Sequence, residues 1–277
     1  MKGLLLSFIL LFWGTFSVNA QNRSIRFLDD NWNIVLKKAE RTGKLIFEDC
    51  YTSWCGPCQT LAKEVFTLDS VADFFNRHFL CVKLDIEKGK GLELKKPFEI
   101  RAYPTLLFLD GKQQVVHRIV GCDGAEYLMK EAGKALDPQL NFRAMQERYM
   151  AGERATDFIL EYLNYLGHAY LEEEANAIAL QYLQGFKEEE LITSANWKII
   201  EKYIKDPLAI PLQVVMKRRK AFFDLAPEQE VINKLNLTCR SALLPFTRWR
   251  PDSEIVFDER YYDALVAYFK SVDYDLA

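Results

Sequence analysis

The feature that most limits how this chain can fold is a change of periodicity part-way along it. From about residue 24 to 137, short apolar runs alternate with helical patterns; from about 141 onward nearly every pattern is helical. Leu45 to Phe47, Leu80 to Leu84, Thr105 to Leu109 and Val115 to Val120 are predicted strands. Asn31 to Arg41, Cys58 to Phe66, Val71 to Asn76 and Ala125 to Leu136 are predicted helices. Alternating elements of this kind imply a sheet covered by helices. Asp110-Gly111 between the last two strands is a hairpin signal, so the sheet should end in an antiparallel pair. Beyond it, Arg154 to Leu166, Leu171 to Leu183, Leu191 to Ile204 and Asp258 to Phe269 are amphipathic, punctuated by Gly152, Gly167, Gly185 and Asp206-Pro207. No fixed-period self-similarity points to a repeat array. The expected organisation is an α/β domain over 21–138 and a mainly α-helical domain over 139–277, hinged at Asp137-Pro138.

Residues 1–20 read as an export signal. Lys2 supplies a short positive start, Leu4 to Phe16 an apolar run, and Val18-Asn19-Ala20 a cleavage site after Ala20. The apolar run is short for a span of about 20 residues, which disfavours a retained anchor. The expectation is an exported, periplasmic protein with no stable membrane insertion after cleavage. Its cysteines would meet an oxidising environment. Lys and Arg number 36 against 39 Asp and Glu, a net charge of -3, with no basic block. A nucleic-acid or anionic-membrane partner is therefore not expected. At 49% hydrophobic residues the chain can bury real cores, which excludes wholesale disorder. Six cysteines in 277 residues are too few for a disulfide-stapled miniprotein.

The chemistry concentrates at Trp54-Cys55-Gly56-Pro57-Cys58, after a predicted strand and at the start of a predicted helix. A thiolate at a helix N-terminus faces unpaired backbone N–H groups and the positive end of the macrodipole, so its pKa falls. The two-residue spacing lets the second sulfur reach the first across one turn. Pro57 is tolerated in the first turn, where its missing N–H had no partner, and Gly56 leaves room for a substrate backbone. A zinc site would need two further ligands, and neither the other cysteines nor the three histidines offer a close pair. A c-type haem would need His after the second Cys, where Gln59 stands. A purely structural disulfide across so small a loop would remove little unfolded-state entropy. Redox chemistry is the favoured reading, with no metal and no cofactor beyond a Cys55–Cys58 disulfide.

The region from about 24 to 137 resembles the thioredoxin family: Trp-Cys-Gly-Pro-Cys after a strand, Tyr103-Pro104-Thr105 before an apolar strand, and Val120-Gly121 before the last helix. The resemblance implies a mixed sheet flanked by helices and covers less than half of the chain. It implies that Cys55 is the exposed attacking cysteine and Cys58 the buried resolving one. Asp49 falls at the family's buried proton-moving carboxylate and Lys83 at its ion-pair partner on the adjacent strand. Glu48, beside Asp49, could be the inward residue instead. The resemblance implies that Pro104 is cis, that the Tyr103 backbone pairs with substrate, and that Trp54 forms an apolar rim. Gly121 and Cys122 would border the substrate groove, with Cys122 starting a helix near Asp123. Strand alternation places Cys81 on the Asp49 face and Cys50 on the other; these two and Cys239 read as buried and small.

By analogy, a Gly-Pro insert without histidine implies a reductase acting on disulfide-containing exported proteins, fed by a membrane thiol-electron carrier. A disulfide isomerase or oxidase is the alternative within enzymes. A partner-binding protein, using the α/β domain as a platform for the helices, is the alternative outside them.

Overall fold

A computed structural model describes residues 23–29, 31–248 and 257–272. The expected signal at 1–20 lies outside the described residues. Among those described, no helix is long and apolar enough to cross a membrane.

The first region is built on a four-stranded sheet, β1 (Ile46–Tyr51), β2 (Leu80–Asp85), β3 (Thr105–Leu109) and β4 (Val115–Val120), in the order β2-β1-β3-β4. β1 runs parallel to β2 and antiparallel to β3, and β3 and β4 form the antiparallel pair that Asp110-Gly111 announced. One face is covered by α2 (Gly56–Thr60, continuing as a π-helical turn through Leu61–Val65), α3 (Asp69–His78) and α5 (Ala125–Leu136). Its centre is aromatic: Phe47 lies 4.6 Å from Phe75 and 5.4 Å from Phe108 between ring centroids. The other face packs Ile46, Cys50, Leu107 and Leu109 against α1 (Trp32–Thr42) and α4 (Gly89–Lys95). α1 begins where the Asn31 side chain accepts from the Asn33 N–H and stops at left-handed Gly43. β1 is therefore central and buried on both sides. α4 was not expected, because Lys- and Gly-rich sequence reads as a loop. It needs Gly91: a Cβ there would fall 2.0 Å from the Asp85 carbonyl oxygen.

The second region is helical: α6 (Phe142–Met150), α7 (Thr156–His168), α8 (Glu172–Leu183), α9 (Ser194–Tyr203), α10 (Ile210–Lys217), α11 (Arg219–Phe223), α12 (Glu228–Arg248) and α13 (Glu259–Ser271). Four of these answer to predicted helices; α6, α10, α11 and α12 do not. α12 buries only a stripe, Val231, Leu235, Thr238 and Cys239, so its polar majority masked its period. These helices share one core around Ile159, Tyr162, Leu163, Val215 and Phe222.

The connection expected as a hinge is a closed turn. The Asp137 carbonyl accepts from the Asn141 N–H and from its side-chain amide at 3.2 and 2.8 Å. α6 and α7 then lie along β4, the strand that ends the sheet. Phe142 N–H donates to His117 Nδ1 at 3.2 Å. The Tyr165 hydroxyl accepts from the Arg118 N–H and donates to the Arg118 carbonyl, both at 2.9 Å. An edge strand is a template for unwanted pairing, and here one hydroxyl occupies both outward groups of its middle residue.

Candidate active site

Cys55 caps α2: its sulfur accepts from the Cys58 N–H at 3.1 Å, and Pro57 sits in the first turn. The two sulfurs are joined as a disulfide. The expectation of an exposed attacking cysteine needs correction, since Cys55 is only 3% exposed in this oxidised form, little different from Cys58 at 4%. Exposure belongs instead to Trp54, at 66%. Its indole N–H donates to the Glu87 carboxylate at 2.9 and 3.0 Å, and its ring meets Tyr103 edge-on at 5.9 Å. A Cβ on Gly56 would point into open space, so nothing inside the protein crowds this surface.

The Tyr103–Pro104 bond is cis. The Pro104 carbonyl accepts from the Gly121 N–H at 2.9 Å, which ties these two expected substrate-binding positions together. Gly121 has φ +73°, where side chains are strained. Cys122 is half-buried, with its sulfur 3.5 Å from the Gly124 carbonyl oxygen. The following helix starts at Ala125, not near Asp123, so Cys122 does not take the capping position. Burial, reinforced by Asp123, pushes its thiol up rather than down.

Below the helix, Asp49 and Lys83 are register partners on β1 and β2. Alternation puts Asp49 on the Phe47 face, the one α2 covers. Lys83 Nζ stands 3.6 Å from Asp49, an ion pair that leaves both carboxylate oxygens without a hydrogen-bond partner. Burial raises the Asp49 pKa to about 6, with the Lys83 ammonium opposing a larger rise. The choice between Asp49 and Glu48 as the inward residue was false, because a central strand has no solvent face. Glu48 is also fully buried, on the opposite face, with neither oxygen bonded. Burial, with Asp49 next, raises it to about 8. Two acids inside an otherwise apolar strand were the sequence signal for this arrangement. Glu87 carried no such signal, since its contact with Trp54 spans a loop.

Alternation also separates Cys81 and Cys50 onto the two faces as expected. Burial pushes Cys81 up to about 12, Cys239 to about 11 and Cys50 well above its ordinary value. These thiols stay protonated and unreactive. Among the described residues no group of three His, Cys, Asp or Glu is placed to hold a metal ion. The redox group that this site carries is the sulfur pair.

Residues 32–135 match a family model described as a thioredoxin-like domain. Thioredoxin H-type 1 of Nicotiana tabacum is 33% identical over 100 residues, covering 35% of this chain and 71% of the relative. Thioredoxin H-type of Fagopyrum esculentum is 36% identical over 101 residues, covering 36% and 81%. Among solved structures, a candidate disulphide-isomerase from Bacteroides thetaiotaomicron is 47% identical, covering 43% of this chain and 98% of that one, with a TM-score of 0.40.

Proposed function

Because this chain belongs to the thioredoxin family through residues 32–135, we propose that it reduces disulfides in exported proteins. At the coarser level it is a thiol-disulfide oxidoreductase. The observation that carries the reading is the Cys55 sulfur at the first turn of α2, above a face that holds the Asp49–Lys83 pair.

The reaction starts from the dithiol. Cys55 thiolate attacks one sulfur of the substrate disulfide; the substrate S–S bond breaks, its other sulfur leaves as a thiolate, and a mixed disulfide forms. Cys58 then loses its proton to Asp49 and attacks the Cys55 sulfur. The mixed disulfide breaks, the second substrate thiolate leaves, and Cys55–Cys58 is oxidised by two electrons. With its pKa near 6, Asp49 is ionised at neutral pH yet basic enough to accept that proton. Trp54 and Tyr103 present an apolar rim to the substrate, and Gly56 and Pro57 leave its approach open. Export is supported by the Lys2, Leu4 to Phe16 and Ala20 pattern. An exported reductase needs its disulfide reduced again, and the reductant proposed is a membrane thiol-electron carrier.

Insulin-disulfide reduction tests the reading. Cys55→Ser should lose about 10³-fold or more in rate, because a serine hydroxyl cannot take the place of the thiolate. A wild type that reduces insulin no faster than Cys55→Ser, both at background, would instead favour a platform for partner binding. A reduction potential near −270 mV supports a reductase, and one near −120 mV an oxidase.

A further inference from the structure

Between β4 and α7 lies a cleft of about 630 Å³ that belongs to neither region alone. Val120, Gly121 and Asp123 line one side; Glu161, Asn164 and His168 line the other. It adjoins the cis-proline loop of the cysteine site through Gly121. Trp54 touches Tyr103, Pro104 is bonded to Gly121, and Gly121 is the rim of the cleft.

Three features describe what fits there. First, the backbone of Arg118 points away from β3, since Tyr165 holds both its N–H and its carbonyl. Val120, two residues along the strand, must point the same way, into the cleft. An added strand can pair at Val120 but is stopped at Arg118, where Tyr165 already holds both groups. That geometry suits a short extended peptide stretch. Second, the charge is uneven. Glu131 in the wall is bonded to Lys134 and His117, and the Arg118 guanidinium turns away to the Glu99 carbonyl. Asp123 and Glu161 are exposed and stand in none of the ion pairs of the described residues. Arg148 is bonded through two nitrogens to Glu153, while Lys198 and Lys202 border a second cleft that Glu161 also lines. Third, Asn164 is held by Lys202 at 2.9 Å, so the far wall is fixed at that point.

We propose that this cleft is a specificity-determining extension of the disulfide-binding surface, taking an extended substrate segment that carries a lysine or arginine beside its reacting cysteine. The proposal rests on the oxidoreductase reading. Backbone pairing at Val120 would supply sequence-independent affinity, and Asp123 and Glu161 would select the basic side chain. The second region thereby acquires a task that its own core does not require.

The test uses the full chain and two disulfide-linked peptides that differ only in having arginine or glutamine two residues after cysteine. Wild type should show about tenfold higher kcat/KM for the arginine peptide. Glu161→Gln should remove most of that preference, and Glu161→Lys should reverse it. A second arm measures binding of the same peptides, with serine for cysteine, to the oxidised protein by fluorescence anisotropy. If no disulfide is reduced but arginine-peptide binding still depends on Glu161, the oxidoreductase reading fails and the cleft stands. Equal kinetics and equal binding for both peptides in wild type and Glu161→Lys would overturn the cleft proposal. So would a self-associating protein whose dimer, and nothing else, responds to Glu161→Lys.

Discussion

In the sheet, the carboxyl groups of Glu48 and Asp49 are fully buried without a hydrogen-bond partner. In the helical region, buried Tyr203 donates to the Leu163 carbonyl at 2.8 Å, and Tyr182 and Thr156 bond to each other at 2.9 Å. The buried polar side-chain atoms there that lack partners are amide oxygens of Asn176 and Asn196, not charged groups. The difference follows from architecture. A helix can turn a polar residue around its axis to solvent, whereas a strand with helices on both faces cannot. The sheet region keeps unpartnered buried carboxyl groups, whereas the unpartnered buried groups of the helical region are neutral amides, which cost less.

The largest expected effect sharpens that contrast through Glu48. Its folded pKa of about 8 stands above the ordinary 4.5. Between those pH values the folded state holds a proton that the unfolded state has released. Stability from this group therefore falls as pH rises, by about 1.4 kcal/mol per unit and on the order of 5 kcal/mol in all. Urea unfolding at pH 5 and pH 8 should show this slope in wild type and a much smaller one in Glu48→Gln, where only the raised Asp49 remains. Equal slopes would mean that Glu48 is not held in a dry site.

Next comes Asp49. Asp49→Asn should slow release of the mixed disulfide by about 10²-fold at pH 7 while leaving attack by Cys55 little changed. Wild type should slow as pH falls through about 6, where Asp49 takes its proton, and approach the variant below it. Single-turnover kinetics that are identical from pH 6 to 9 would remove Asp49 from the mechanism.

Tyr165→Phe tests whether the two regions are separable. It leaves the outward N–H and carbonyl of Arg118 without their shared partner, at a cost of about 1–3 kcal/mol. Thermal unfolding should shift as one transition if β4 and α7 unfold together. Two transitions, with only one displaced, would mark independent units.

The smallest effect concerns Cys122. In the reduced protein it should alkylate more slowly than Cys55, because burial raises its pKa. Half-exposed, it should still react faster than Cys50, Cys81 or Cys239. Quantitative thiol mass spectrometry reads the order, and a rate for Cys122 equal to the buried three would leave it as packing alone.

Much of the first region was legible because its signals are local. The four strands, the hairpin at Asp110-Gly111 and the Cys55 capping position each follow from neighbours within a few residues. α4 and α12 were not, since one is written in residues that usually make loops and the other shows only a narrow apolar stripe. The burial of Cys55 was missed for another reason: exposure depends on what a closed disulfide and a projecting Trp54 leave accessible.

By itself the sequence determined the cysteine pair and, through its motifs, the family, because these are written in neighbouring residues; Asp49 and Lys83 came only with the family resemblance, and Glu48 stayed open beside Asp49. Only the tertiary structure decided that Glu48 and Asp49 are both buried, because the centrality of β1 arises from pairings with strands more than 20 residues away. The same holds for the β4 edge. The backbone of Arg118 carries no mark of needing a partner until Tyr165, 47 residues on, places one hydroxyl against both of its polar groups.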